Sequence, residues 1–110
     1  MKTLTKEQLK QMIDNKENFV LVNVLDKKYF DDAHIPGSIS IPVSNDDFKH
    51  NLEKQIPDKS SKVVVYCASF ECQASPGAVE KMTSIGYTDV YDYEGGIKDW
   101  KDAGFTTHKA

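Results

Sequence analysis

Lys62-Val63-Val64-Val65-Tyr66-Cys67 is the stretch on which the fold turns. Val63 to Tyr66 is an unbroken run of β-branched and aromatic residues with no polar alternation. Such a run reads as a strand covered on both faces, the mark of a parallel sheet. The apolar character stops at Cys67. A polar loop follows, Ala68-Ser69-Phe70-Glu71-Cys72-Gln73, and then a helical pattern. A buried strand therefore delivers a thiol to the mouth of a short loop. That placement suits a nucleophile better than a core filler. Cys72 closes the loop five positions later.

The same grammar repeats on either side. Upstream, Phe19-Val20-Leu21-Val22-Asn23-Val24-Leu25 predicts a second strand buried on both faces. Before it, Leu4 ends a short first strand, and Thr5-Lys6-Glu7-Gln8 is a capping-box pattern with Thr5 as N-cap. Leu9, Met12 and Ile13 then share one helical face, and 15–18 is a polar stop. Residues 26–33 hold a short helix, Ile35-Pro36-Gly37 a turn, and Ile39 and Ile41 a short alternating strand. Residues 46–55 read as a helix ending before Pro57.

Downstream, 75–85 carries helical spacing at Val79, Met82 and Ile85, with Pro76 in the first turn and Gly86 as C-cap. Residues 89–93 form a third strand, Gly95-Gly96 a turn, and 97–103 a last short helix containing Trp100. Strand and helix alternate from end to end. The expected fold is α/β, a small, mostly parallel β-sheet flanked by helices on both faces. Ligands on such sheets bind at the carboxyl ends of strands, where Cys67 stands.

Composition narrows the function. The chain has 110 residues, 39% hydrophobic and 28% charged, with a formal net charge of −3. One domain over 1–110 is expected, with room for a single core. No basic stripe invites nucleic acid or an anionic membrane. All 14 basic side chains are lysine, which excludes any chemistry that needs a guanidinium fork. The N-terminal segment lacks the apolar region of a signal peptide, so the cytoplasm, with reduced thiols, is the expected compartment. Three scattered histidines and two cysteines make no metal-ligand spacing, and no cofactor motif occurs. His34 reads as a structural hydrogen-bonding residue, His50 as solvated on a polar helix and His108 as solvated near a frayed end. Trp100 and Phe105 read as packing the last helix onto the sheet.

Three segments together resemble a single-domain rhodanese. The first is 19–25 followed by Ala33-His34-Ile35-Pro36-Gly37-Ser38 and Ile41-Pro42. The second is Val63-Val64-Val65-Tyr66-Cys67 with its six-residue loop. The third is Gly86-Tyr87-Thr88-Asp89-Val90, Glu94-Gly95-Gly96-Ile97-Lys98-Asp99-Trp100 and Ala103-Gly104. The resemblance spans roughly residues 4 to 106. It implies a sulfurtransferase or persulfide carrier, with Cys67 holding a sulfane sulfur and Ala68, Ser69, Phe70, Glu71, Cys72 and Gln73 forming the binding loop. It implies no cofactor. The donor would be a small sulfane-sulfur compound or a persulfidated protein, and the acceptor a thiol or cyanide. Where many members of the family carry Asp and then Arg, this chain has Asn23 and Leu25. Cys72 occupies the place where many have a basic residue.

A free thiol has a pKa of about 8.5, so the protein must favour the thiolate of Cys67. With no arginine, the expected donors are backbone N–H groups of the loop and the following helix N-terminus. Glu71 opposes an anion, so a poor thiosulfate:cyanide sulfurtransferase is expected. Cys72 is open to three readings: a resolving thiol, a tuning neighbour, or a small packed hydrophobe. Phe70 at the loop apex shields the site or faces a partner. A thiol–disulfide oxidoreductase using Cys67 and Cys72, or a non-catalytic binding module, are the alternatives. A phosphatase would need the missing arginine.

Overall fold

The computed structural model describes residues 2–110. Ten elements follow one another: β1 (Lys2–Thr3), α1 (Lys6–Asp14), β2 (Val20–Asn23), α2 (Lys27–Asp32), β3 (Ile39–Ser40), α3 (Phe48–Gln55), β4 (Val63–Tyr66), α4 (Ala74–Ser84), β5 (Val90–Tyr93) and α5 (Gly96–Asp102). The strands form one sheet in the order β1-β5-β4-β2-β3, and all four pairings are parallel. β4 is central. It pairs Val63, Val64, Val65 and Tyr66 with Val20 to Asn23 on one side and with Val90 to Tyr93 on the other.

Side-chain alternation splits the core into two layers. Val63, Val65 and Cys67 point to one face, where Phe48 and Leu52 of α3 and Ala78, Val79 and Met82 of α4 cover them. Val64 and Tyr66 point to the other, against Leu9 and Met12 of α1 and Trp100 of α5. Val63 to Cys67 are completely buried. Phe105 meets Trp100 edge-on with ring centroids 4.8 Å apart. This is the expected α/β architecture.

The start of α1 follows its sequence signal. Thr5 Oγ1 accepts from the Gln8 N–H, and Gln8 Oε1 accepts from the Thr5 N–H. Most boundaries shift by a residue or two from the sequence reading, and three of the shifts have a clear local reason. β2 ends at Asn23 because the Leu25 N–H turns back to Asn23 Oδ1 at 2.9 Å and leaves the ladder. α3 begins at Phe48, since the Phe48 N–H closes a turn on the Asn45 carbonyl. The C-cap of α4 is Ile85, and Gly86 is the residue after it, at φ 107°.

The tail also departs from expectation. His108 is not at a frayed end: its backbone exchanges two 2.9 Å hydrogen bonds with His34. The His34 ring stacks on Phe30, and its Nδ1 lies 2.9 Å from the Phe30 carbonyl oxygen. His34 is thus the structural residue it was read to be. Among the described residues, no helix is long and apolar enough to cross a membrane.

Candidate functional site

Cys67 follows the last residue of β4, one step beyond the central ladder. The loop then rises and returns. The Cys72 N–H closes a turn on the Ser69 carbonyl at 3.1 Å, and α4 starts at Ala74. Ala68 and Ser69 are half-buried, Phe70 is 66% exposed, and Glu71 and Gln73 are exposed. Cys72 is half-buried, and both cysteines are free.

The underside of the loop is held by α5. The Ile97 N–H donates to the Cys67 carbonyl and the Lys98 N–H to the Ala68 carbonyl, both at 2.9 Å. Gly96 makes this docking possible. A Cβ there would stand 2.5 Å from the Cys67 carbonyl oxygen and 2.7 Å from the Ala68 carbonyl carbon, and φ is 66°. The Gly95-Gly96 turn thus serves the thiol loop directly as well as redirecting the chain.

Of the loop and helix donors considered for Cys67, the Ser75 N–H in the first turn of α4 favours its anion. Cys67 Sγ meets Ser75, with the thiol 3.4 Å from Ser75 Oγ and the Ser75 N–H directed at the sulfur. The N–H groups of Ala68 and Ala74 favour the Cys72 anion. The two thiols are near enough to perturb each other, Cys72 raising Cys67 and Cys67 lowering Cys72. Burial pushes the Cys67 thiol up from its ordinary value, the Cys72 sulfur adds to the rise, and Ser75 pulls only partway back. Burial acts to raise Cys72 too. Its donors (the Ala68 N–H, the Cys67 thiol and the Ala74 N–H) outweigh that, so Cys72 is held below its ordinary value. Cys72 is therefore the better-supported anion of the pair.

Glu71 turns outward. The Ser69 hydroxyl and the Glu71 backbone N–H hold its carboxyl below the ordinary value, and the charge of Lys98 assists. Phe70 sits between two clefts. One is lined by Ser69, Glu71, Lys98, Asp99 and Asp102. The other, of about 250 Å³, includes Thr5, Tyr93 and Glu94.

Two residues of the site escaped the sequence reading. Ser75 is buried in the first turn of α4. Asp92 is completely buried on β5, and neither carboxyl oxygen has a hydrogen-bond partner. Asp92 has the parity of Val90 and so lies on the α4 side of the sheet, under Ser75 and the loop. Burial raises its pKa, the charge of Glu94 adds, and the nearby Ser75 hydroxyl offsets part. The signal for Asp92 was available: in Val90-Tyr91-Asp92-Tyr93, period two puts a carboxylate beside Val90 on the core face. Among the described residues, no group of three His, Cys, Asp or Glu side chains could hold a metal ion.

The family model for the rhodanese-like domain matches residues 5–103. The thiosulfate:glutathione sulfurtransferase of Saccharomyces cerevisiae is 32% identical over 109 residues, covering 89% of this chain and 76% of the yeast protein. A thiosulfate sulfurtransferase of Pseudoalteromonas translucida is 28% identical over 87% of this chain and 85% of its own length. The solution structure of a rhodanese-like domain from Anabaena superposes with a TM-score of 0.86 at 26% identity, covering all of this chain and 80% of that one.

Proposed function

The chain belongs to the rhodanese-like domain family, and from that premise we propose that it is a sulfurtransferase that carries sulfane sulfur as a persulfide on Cys67. The observation that carries this reading is the position of Cys67. It is the thiol at the carboxyl end of the central strand, at the base of a six-residue loop, with its carbonyl tied to the N-terminus of α5. In such a sheet that end is where ligands bind.

The step is a displacement. The Cys67 thiolate attacks the sulfane sulfur of a donor, an S–S bond forms, and the donor's leaving group departs with the electron pair. A thiol or cyanide acceptor then attacks the terminal sulfur, and the pair returns to Cys67. The donor is a small sulfane-sulfur compound or a persulfidated protein, and the cycle needs no cofactor.

A second reading rests on the nearness of two free thiols that perturb each other. Cys72 attacks the inner sulfur of the Cys67 persulfide, forms a Cys67–Cys72 disulfide and expels hydrosulfide. Incubation with a sulfane-sulfur donor followed by intact-mass measurement tests both. Gain of one sulfur, abolished in Cys67→Ser, is the expected result. Loss of two hydrogens with release of sulfide favours the dithiol route. No change in mass with any donor overturns both readings and leaves a binding module.

A further inference from the structure

We infer that Asp92, acting through the Ser75 hydroxyl, is the proton acceptor that converts Cys67 to its thiolate. The inference builds on the reading of Cys67 as the sulfur-carrying thiol, and it answers a difficulty that reading leaves. Cys67 is completely buried, and no arginine or lysine side chain lies among the groups that act on its sulfur. The N–H groups of Ala68 and Ala74 favour the Cys72 anion, and the Ser75 N–H and hydroxyl only partly offset the rise at Cys67. Some other group must take the proton.

The geometry supplies one. The Cys67 thiol donates to Ser75 Oγ at 3.4 Å. Ser75 is buried and lies near the Asp92 carboxyl, neither oxygen of which has a hydrogen-bond partner in the fold. A carboxyl that is fully buried and unpartnered is costly to keep. Here it sits behind the one hydroxyl in contact with the sulfur. The charged and titratable neighbours are few. Cys72 faces both groups from the loop, and Glu94 acts on Asp92 from the exit of β5. The strand neighbours in register, Thr3 on β1 and Val65 on β4, bring no charge.

The transfer balances. Once the Ser75 hydroxyl swings onto the unpartnered Asp92 carboxylate, the Cys67 proton passes to Ser75 Oγ as the Ser75 proton passes to Asp92, leaving a Cys67 thiolate and a neutral Asp92. The hydroxyl then points its new proton at the thiolate. No unpaired negative charge remains behind the sulfur while it attacks. When the persulfide is discharged and the electron pair returns to Cys67, Asp92 gives the proton back along the same path. Burial strengthens the carboxyl as a proton acceptor, while burial of Cys67 acts against the transfer.

The test follows alkylation of Cys67 by iodoacetamide as a function of pH, resolved from Cys72 by peptide mass spectrometry. Alkylation needs no sulfur donor, so this inference fails or stands separately from persulfide transfer. Asp92→Asn should slow Cys67 alkylation near neutral pH by about 10²-fold, at the low end of general-base effects, and remove the acid limb of its profile. Ser75→Ala should do the same, and the double variant should be no slower than either. An Asp92→Asn protein that alkylates faster would show a thiolate merely relieved of a neighbouring charge, and would overturn the inference. Losses that add in the double variant would overturn it as well. Should Asp92→Asn fail to fold, Ser75→Ala decides alone: an unchanged profile for Cys67 overturns the relay.

Discussion

Gly96 and Cys67 are in backbone contact: a Cβ on Gly96 would lie 2.5 Å from the Cys67 carbonyl oxygen. The fixed neighbours are backbone atoms of the thiol loop, which cannot swing aside, and φ at Gly96 is 66°. Gly96→Ala should therefore cost about 1–3 kcal/mol from backbone strain alone, with the clash in addition. It should also displace Cys67 and lower sulfur uptake. Gly77 is the control, since it lies inside α4 with nothing within 4 Å of an added Cβ. Gly77→Ala should leave uptake intact and raise stability by about 0.5–1 kcal/mol. Thermal melts of the two variants, with intact-mass assays, check both directions.

Asp92 makes stability depend on pH with a definite sign. Its folded-state pKa is raised above the ordinary 3.8, so the folded protein holds the proton to higher pH than the unfolded chain. Folding is then favoured in acid and loses stability as pH rises through the interval above 3.8. Asp92→Val removes the unpaired carboxyl and keeps an apolar face. It should be more stable than the wild type by about 1–3 kcal/mol at neutral pH, with the gain shrinking as pH falls below that interval. Urea titrations at pH 7 and in acid measure it. A loss of stability at pH 7 would mean that the carboxyl has a partner in solution.

The two thiols should separate in reactivity. Cys72 is half-buried and held below its ordinary pKa by two backbone N–H groups and the Cys67 thiol. Cys67 is completely buried and pushed up. Cys72 should therefore be alkylated first, with its reactivity appearing at lower pH than that of Cys67. Cys72→Ser removes the sulfur that adds to the rise at Cys67, so the Cys67 profile should move to lower pH. Peptide-resolved alkylation over pH 5–9 reads both shifts.

Much of this was legible in the chain. Val63 to Tyr66 could only be a buried strand, and the Thr5–Gln8 pair marks a helix start by a reciprocal hydrogen bond that two residue types suffice to specify. The placement of Cys67 at a strand end followed from the break in apolar sequence. The destination of the loop N–H groups did not. Loop backbone has no periodicity, and whether the Ala68 and Ala74 donors turn to Cys67 or to Cys72 depends on a curl that side-chain types do not encode. The pairing of His108 with His34 spans 74 residues, beyond any local pattern. The burial of Asp92 is hidden from sequence for a different reason. A carboxylate in a short strand is ordinarily assigned to the solvent face, because buried charges are rarely left unpaired.

The choice of sulfur donor is the remaining consequence of the loop's charges. Thiosulfate is a dianion, and the site has no guanidinium to receive it. Glu71 stands on the loop, ionised and exposed, with its carboxyl favoured by the Ser69 hydroxyl. Lys98 is the cation acting on it, but Lys98 is itself paired to Asp102 at 2.7 Å. The local field therefore resists a dianion in the encounter step. Glu71→Lys reverses one charge without touching the thiols, and should raise kcat/KM with thiosulfate several-fold while leaving a neutral polysulfane donor nearly unaffected. Added salt should narrow the difference between the wild type and the variant, since both charges face water. Steady-state kinetics with the two donors at low and high ionic strength measure each effect. Equal response to the charge reversal with both donors would show that Glu71 acts on the loop's shape, and the electrostatic argument against thiosulfate would fall.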